Sequence, residues 1–284
     1  MGVSIMTHPL LNRFILAGIL SLAIGLLAWR MRALSPSGAL AAFVTGLLVF
    51  GLGGIAWAAV LLTFFISSSL LSKAFSRRKA VIAEKFSKGS QRDWGQVLAN
   101  GGLGAILVLV WYQSGSPHWI WVAYVGAMAA VNADTWSTEL GVLSSRLPRR
   151  ITTGIQVEIG TSGGVTFLGY LVAAAGALLV GAVAGLFSPT QNPILFGLVI
   201  TLAGLAGSTV DSLLGDTIQA IYLCPVCNKE TERHPVHWCG TPTTPLRGWR
   251  WMNNDWVNFF CSLAGALAAL FICLPYFSVS WLLA

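Results

Sequence analysis

Apolar residues fall into eight runs separated by polar segments. They are Leu10–Trp29, Ala39–Gly51, Ile55–Leu71, Val97–Tyr112, Trp119–Val131, Gly164–Phe187, Pro193–Leu205 extending toward Tyr222, and Val257–Leu283. An α-helix needs roughly 20 residues to cross a ~30 Å hydrocarbon core. The second and fifth runs are short, so they borrow flanking residues or re-enter. Strands are excluded, because an open sheet edge is not tolerated in lipid. The pattern predicts an all-α polytopic transmembrane helix bundle of about eight spans, within a range of seven to nine. It forms a single membrane domain over residues 1–284. The first run lacks a small-residue cleavage site and reads as a retained span.

Composition agrees with the pattern. The chain is 55% hydrophobic and only 10% charged, with mean hydropathy +0.73. Soluble domains carry about a quarter charged residues, and disorder requires few apolar residues. Of the 17 Lys and Arg residues, all but Arg13 fall after runs one, three, five and seven. With eight spans these loops share one side. The positive-inside bias makes that side cytoplasmic and puts both termini outside, in a cell (inner) membrane protein. The net charge of +7 is then mostly an orientation signal.

The ten carboxylates are more informative. Asp134, Glu139, Glu158, Asp211 and Asp216 lie in or beside apolar runs, where a charge costs about 2.5–3.5 kcal/mol at the helix centre. Glu158 reads as solvated. The contexts of the other four echo each other. Gly126 to Gly141 and Leu202 to Thr217 each have a small-residue stretch, an Asp, a hydroxyl, then a carboxylate five positions on. Ser35-Pro-Ser-Gly-Ala and Gly160-Thr-Ser-Gly-Gly form a weaker second echo, opening spans two and six. Two degenerate repeats follow, the first about residues 34–141 and the second about 160–216, and a site is expected at their interface. Residues five apart on a helix point about 140° apart. Either each helix breaks after its Asp, or the paired carboxylates face different sides of the bundle. Clustered carboxylates repel unless protonated or bridged by a cation, and Mg²⁺ takes oxygen ligands of this kind.

The even-numbered spans start on the basic side, so their helix N-termini offer anion sites there. Their openings are Ser35-Pro-Ser-Gly, Asn100-Gly-Gly as a turn inside span four, Gly160-Thr-Ser-Gly-Gly, and Asn253-Asn-Asp-Trp. Each alone is an ordinary cap, but the four together point to a polyphosphate. The Walker signature is missing. In the loop 222–255, Cys224-Pro-Val-Cys227 precedes His234, His237 and Cys239. Cys224, Cys227, His237 and Cys239 match the ligand set of a small zinc knuckle. This metal-capable set is expected to fold the loop rather than to catalyse. Cys261 and Cys273 read as small apolar residues.

The segments Asn132–Gly141, Gly207–Asp216, the Cys-Pro-Val-Cys loop and Arg247–Asp255 resemble an integral membrane family of formerly unknown function that includes plant phytyl-phosphate kinase. The resemblance runs from about Leu34 to Ala284. It implies Mg²⁺-dependent transfer of a phosphoryl group from a nucleoside triphosphate, CTP favoured, to an isoprenyl or phytyl monophosphate. It makes Asp134, Glu139, Asp211, Asp216 and the Asn253–Asp255 group functional. On this reading Asp134, Glu139, Asp211 and Asp216 coordinate Mg²⁺. Asn100, Asn132, Thr138, Ser162, Gly163, Gly164, Asn253, Asn254 and Asp255 contact the nucleotide. The basic residue nearest a motif is Arg247 or Arg250. The partners are membrane lipid, a lipid monophosphate and a nucleotide, not nucleic acid. Two other readings compete. A lipid nucleotidyltransferase would use the same Mg²⁺ and CTP but release pyrophosphate. A cation-coupled secondary transporter would need midplane carboxylates and opposed repeats, whereas spans five and seven run the same way.

Overall fold

A computed structural model describes residues 9–75, 85–89 and 91–273. Among these residues the chain forms eight long helices. They are α1 (Pro9–Arg30), α2 (Pro36–Gly53), α3 (Ile55–Ala74), α4 (Trp94–Gln113), α5 (His118–Leu140), α6 (Phe167–Leu186), α7 (Pro193–Thr217) and α8 (Asn254–Cys273). The fold is thus an all-α polytopic membrane bundle. Seven of the helices are long and apolar enough to cross a membrane, and α5 is the exception. The reason is position. Every residue from Ile120 to Ala133 is buried, with α3, α4, α6, α7 and α8 packed around it. A helix enclosed by protein can carry Tyr124 and Asn132 where a lipid-facing helix would not. The Tyr124 hydroxyl donates to the Trp57 carbonyl at 2.7 Å.

Several boundaries differ from the sequence reading. Span five is a full-length helix, because its polar end continues past Val131 to Leu140. Neither α5 nor α7 breaks after its Asp; the α7 pair, Asp211 and Asp216, looks in two directions, whereas Asp134 and Glu139 line one cavity. Asn100 lies inside continuous helix, not in a turn, and its Nδ2 donates to the Gln96 carbonyl at 2.8 Å. The stretch from Gly160 to Val165 does not open α6. That helix starts at Phe167, capped by Thr166 through the Gly169 N–H. The end of the eighth run, beyond Cys273, lies outside the described residues.

The loops after α1, α3, α5 and α7 converge on one end of the bundle. Ser35 N–H donates to Arg92 O at 3.0 Å, and Glu232 N–H to Lys85 O at 2.8 Å. Lys85 pairs with Glu158, and Arg150 with Asp216. Arg13 stands apart, donating to the Gly51 and Leu52 carbonyls at the C-terminus of α2, where a cation suits the helix dipole. Five short strands decorate the crowded end. β1 (Arg149–Arg150) pairs with β2 (Gly164–Val165). β3 (Ile221–Cys224) lies between β4 (Lys229–Thr231) and β5 (Thr244–Arg247), all antiparallel.

Helices α5, α7 and α8 cross with almost no side chain between them. A Cβ on Gly126 would lie 2.5 Å from both Ala269 Cβ and the Gly265 carbonyl oxygen. One on Gly207 would lie 2.4 Å from Ala130 Cβ. Small residues at such crossings let backbones meet. We expect Gly126→Val to lower unfolding stability by about 1–3 kcal/mol through overpacking. Gly102→Ala, whose new methyl meets Leu98 Cβ at an ordinary 3.6 Å, should be neutral or stabilising. Thermal unfolding of both variants in detergent checks this.

Candidate active site

The glycine crossing brings α5 against α7, and just beyond it Asp134 and Asp211 come close enough for their like charges to act on each other. Asp211 Oδ2 is buried and has no hydrogen-bond partner among the described residues. Two cavities meet at this pair. The larger, of about 460 Å³, is lined by Ser72, Lys88, Arg92, Gln96, Asn100, Glu139 and Asn258 among others. The smaller, of about 140 Å³, runs under the glycine-rich turn from Gly160 to Thr166, past Ser137, Ser208 and Ser212. Phe86, Asp134, Thr138, Asp211, Glu232 and Asn254 line both. Volumes of this order suit a small ligand.

The other expected carboxylates separate. Glu139 faces the larger cavity, where its Oε1 accepts from Ser72 Oγ at 2.7 Å and its charge acts on the Arg92 guanidinium. Asp216 points elsewhere and lines neither cavity. Its Oδ1 accepts from Arg150 Nη1 at 2.7 Å, and its Oδ2 from the Thr152 N–H and hydroxyl. With both oxygens engaged and the side chain 2% exposed, Asp216 ties the β1 turn to α7. Its expected place beside the other three is not what the geometry gives. The cause is the 140° step along an unbroken helix.

The expected phosphate contacts also divide. Thr138 and Asn254 line both cavities, Asn100 lines the larger, and Ser162, Gly163 and Gly164 line the smaller. Gly163, at φ +79°, packs its Cα directly on Asp216, where a Cβ would fall 2.3 Å from the Asp216 Cβ. Asn132 lines neither. Buried between helices, it accepts from Ser67 Oγ at 3.0 Å and donates to Gly176 O at 2.7 Å. Asn253 caps α8 through the Asp255 and Trp256 N–H groups. Asp255 holds Lys88. Arg247 spends its Nη1 on the Gly215 and Asp216 carbonyls at the end of α7, so it secures the loop. Arg250 is exposed.

Three charged residues that the sequence reading did not single out reach the larger cavity. Glu232, beyond β4, accepts from Gln219 Nε2 at 2.9 Å and Ser162 Oγ at 3.2 Å. Burial pushes its carboxyl above the usual range despite those donors. Arg92 donates from Nη1 to Ser68 Oγ at 3.1 Å, and burial lowers its pKa against the pull of Glu139. Lys88 bridges Asp93 and Asp255. Burial alone would lower its pKa, but the two carboxylates hold it above the ordinary value. The Cys224, Cys227, His237 and Cys239 donor atoms form a separate cluster, all within 4.8 Å of one another.

The pairings predict opposite effects. Asp216→Asn should lower unfolding stability by about 1–2 kcal/mol, because Arg150 loses one of its two counter-charges while keeping Glu230. Asp134→Asn should raise it by about 0.5–2 kcal/mol in divalent-free buffer, because a like-charge contact is relieved. Melting curves in detergent distinguish the two.

Comparison with known proteins adds ancestry. Residues 19–266 match the family model described as integral membrane protein DUF92. The chain is 36% identical over 269 residues to Protein PGR of Arabidopsis thaliana, covering 87% of this chain and 91% of that one. An uncharacterized membrane protein of Methanocaldococcus jannaschii is 32% identical over 212 residues, covering 74% and 84%. One from Synechocystis sp. is 28% identical over 276 residues, covering 93% and 92%. No solved structure matches.

Proposed function

The chain belongs to the integral membrane protein DUF92 family, and on that premise we propose that it is a lipid-phosphate kinase. It transfers a phosphoryl group from a nucleoside triphosphate, CTP favoured, to an isoprenyl or phytyl monophosphate at the basic end of the bundle. The observation that carries this reading is the Asp134–Asp211 pair, set where two polar cavities meet beside a small, mainly apolar cleft. That cleft lies between α1, α2, α3 and α4. Its walls are Ile24, Ala42, Leu61, Leu62, Phe65 and Val97, and it ends on Arg92, Gln96 and Asn100. Those three residues also line the larger cavity. An isoprenyl chain in the cleft would therefore present its phosphate to the carboxylate pair.

Mg²⁺ fits the donor set. Two facing carboxylates need a proton or a cation between them, and a buried Asp211 oxygen without a partner is a hard ligand of the right kind. When bound, the ion supplies charge neutralisation to the phosphate oxygens. Asp134 and Asp211 would hold it, and Glu232 is a further carboxylate that lines both cavities. The remaining work is positioning. The Thr138 hydroxyl, the Asn254 amide and the N–H groups of the glycine-rich turn orient the donor phosphates. Arg92, whose hydrogen bonding leaves most of its guanidinium for the cavity, meets the acceptor phosphate. The acceptor oxygen is already ionised, so no general base is required. The basic loops face the cytoplasm, where the nucleotide is, and both termini lie on the opposite side. Carboxylates at the end of the helices also disfavour a midplane transport site.

Purified protein incubated with labelled CTP, Mg²⁺ and a panel of isoprenyl monophosphates and alcohols tests the reading. Release of CDP with formation of an isoprenyl diphosphate is expected, and Asp134→Asn should cost at least about 100-fold in kcat/KM. Release of pyrophosphate would assign a nucleotidyltransferase instead, and no turnover on any acceptor would contradict both. The cleft makes a second prediction. Ala42→Phe should lower kcat/KM about tenfold for long-chain acceptors while sparing short-chain ones, measured in the same assay.

A further inference from the structure

The loop between α7 and α8 carries a second polar cluster of different chemistry. Cys224 ends β3, and Cys227 lies in the tight turn to β4, where Asn228 N–H returns to Cys224 O at 2.8 Å. His237 and Cys239 arrive from a later turn, closed by Gly240 N–H to His237 O at 3.0 Å. Chain segments distant in sequence thus deliver three thiols and an imidazole to one point. Cys224 Sγ and Cys239 Sγ are 3.6 Å apart. A disulfide requires about 2.05 Å, whereas sulfurs each about 2.3 Å from a tetrahedral zinc lie nearly 3.8 Å apart. His237 Nδ1 is 3.2 Å from Cys239 Sγ. The imidazole is 4% exposed, and its Nε2 has no hydrogen-bond partner among the described residues. The Thr241 hydroxyl lies 3.3 Å from Cys239 Sγ, placed to donate to a thiolate as outer-shell groups do.

We propose that Cys224, Cys227, His237 and Cys239 bind one Zn²⁺, and that the ion holds the β3–β4 hairpin so that Glu232 reaches the cavity. The hairpin links the two places. Cys224 pairs with Lys229 across it, and the strand from Lys229 runs through Thr231 into Glu232. Glu232 in turn holds the segment bearing Lys88, through its N–H to Lys85 O and through Ser87 N–H to its Oε2. Across the hairpin itself only three residue pairs face each other, Tyr222 with Thr231, Leu223 with Glu230 and Cys224 with Lys229, so an ion tying its turn to the later one would add to that register. The ion's presence stands on the cluster alone; only the importance of its role rests on the reading of the cavity given above.

The test uses the full chain in detergent and no nucleotide. Elemental analysis of protein from zinc-supplemented growth should give one zinc per chain. Replacement by Co²⁺ should give the visible spectrum of a tetrahedral thiolate site. Cys239→Ser should lose the zinc, while Cys261→Ser, in α8, should keep it. Hydrogen exchange in excess Mg²⁺ should show faster exchange at residues 229–232 after zinc chelation, with α5 and α7 unchanged. Zinc-free wild-type protein that also gives no tetrahedral Co²⁺ spectrum overturns the site. Bound zinc whose removal leaves exchange at 229–232 unchanged overturns the role. Neither readout depends on turnover, so failure here and failure of the kinase reading are separable.

Discussion

The close crossing of α5 with α7 and α8 is the constraint on which the rest depends. At Gly126, Gly207 and Gly265 the backbones meet with only the methyls of Ala130 and Ala269 beside them. That approach fixes the distance between α5 and α7 one turn further on, where Asp134 meets Asp211. A bulkier residue at the crossing would separate the two carboxylates as well as weaken the packing. Stability and chemistry here share one contact, as expected where a site is built on rigid helices rather than loops.

Around that contact the few charges divide their work. Asp216, Arg150 and Arg247 fasten the loop after α5 to the end of α7. Lys88 with Asp93 and Asp255 fastens the start of α4 to the start of α8. Each of these charges already meets a partner within the protein. Asp134, Asp211, Glu139, Arg92 and Glu232 instead face cavity space.

The sequence made the helical class, the span positions and the gathering of basic loops legible, because lipid forces long apolar runs and topology forces charge asymmetry. It also singled out Asp134 and Asp211, since carboxylates in or beside apolar runs stand out. It could not separate them from Asp216, because only the unbroken course of α7 sends the two Asp residues of that helix to different sides. Glu232, Lys88 and Arg92 escaped notice for the opposite reason. They lie in polar loops, where charge is ordinary, and only the folding of those loops over the bundle end brings them to the cavity. One signal was available for Arg92. It sits immediately before the Asp93 cap of α4, close to where a helix must start and hence close to the membrane end. Asn132 misled in another way. A polar residue in a buried helix marked a tie between helices, through Ser67 and Gly176.

The central claim is that Asp134 and Asp211 together form a divalent-cation site. Electron paramagnetic resonance titration of detergent-solubilised protein with Mn²⁺, as a Mg²⁺ surrogate, tests it without requiring the substrate. One bound Mn²⁺ per chain is expected in the wild type, displaced by Mg²⁺ and weakened at least about tenfold by either Asp134→Asn or Asp211→Asn, but retained in Asp216→Asn. Equal Mn²⁺ affinity in the wild type and in both Asp134→Asn and Asp211→Asn would contradict it.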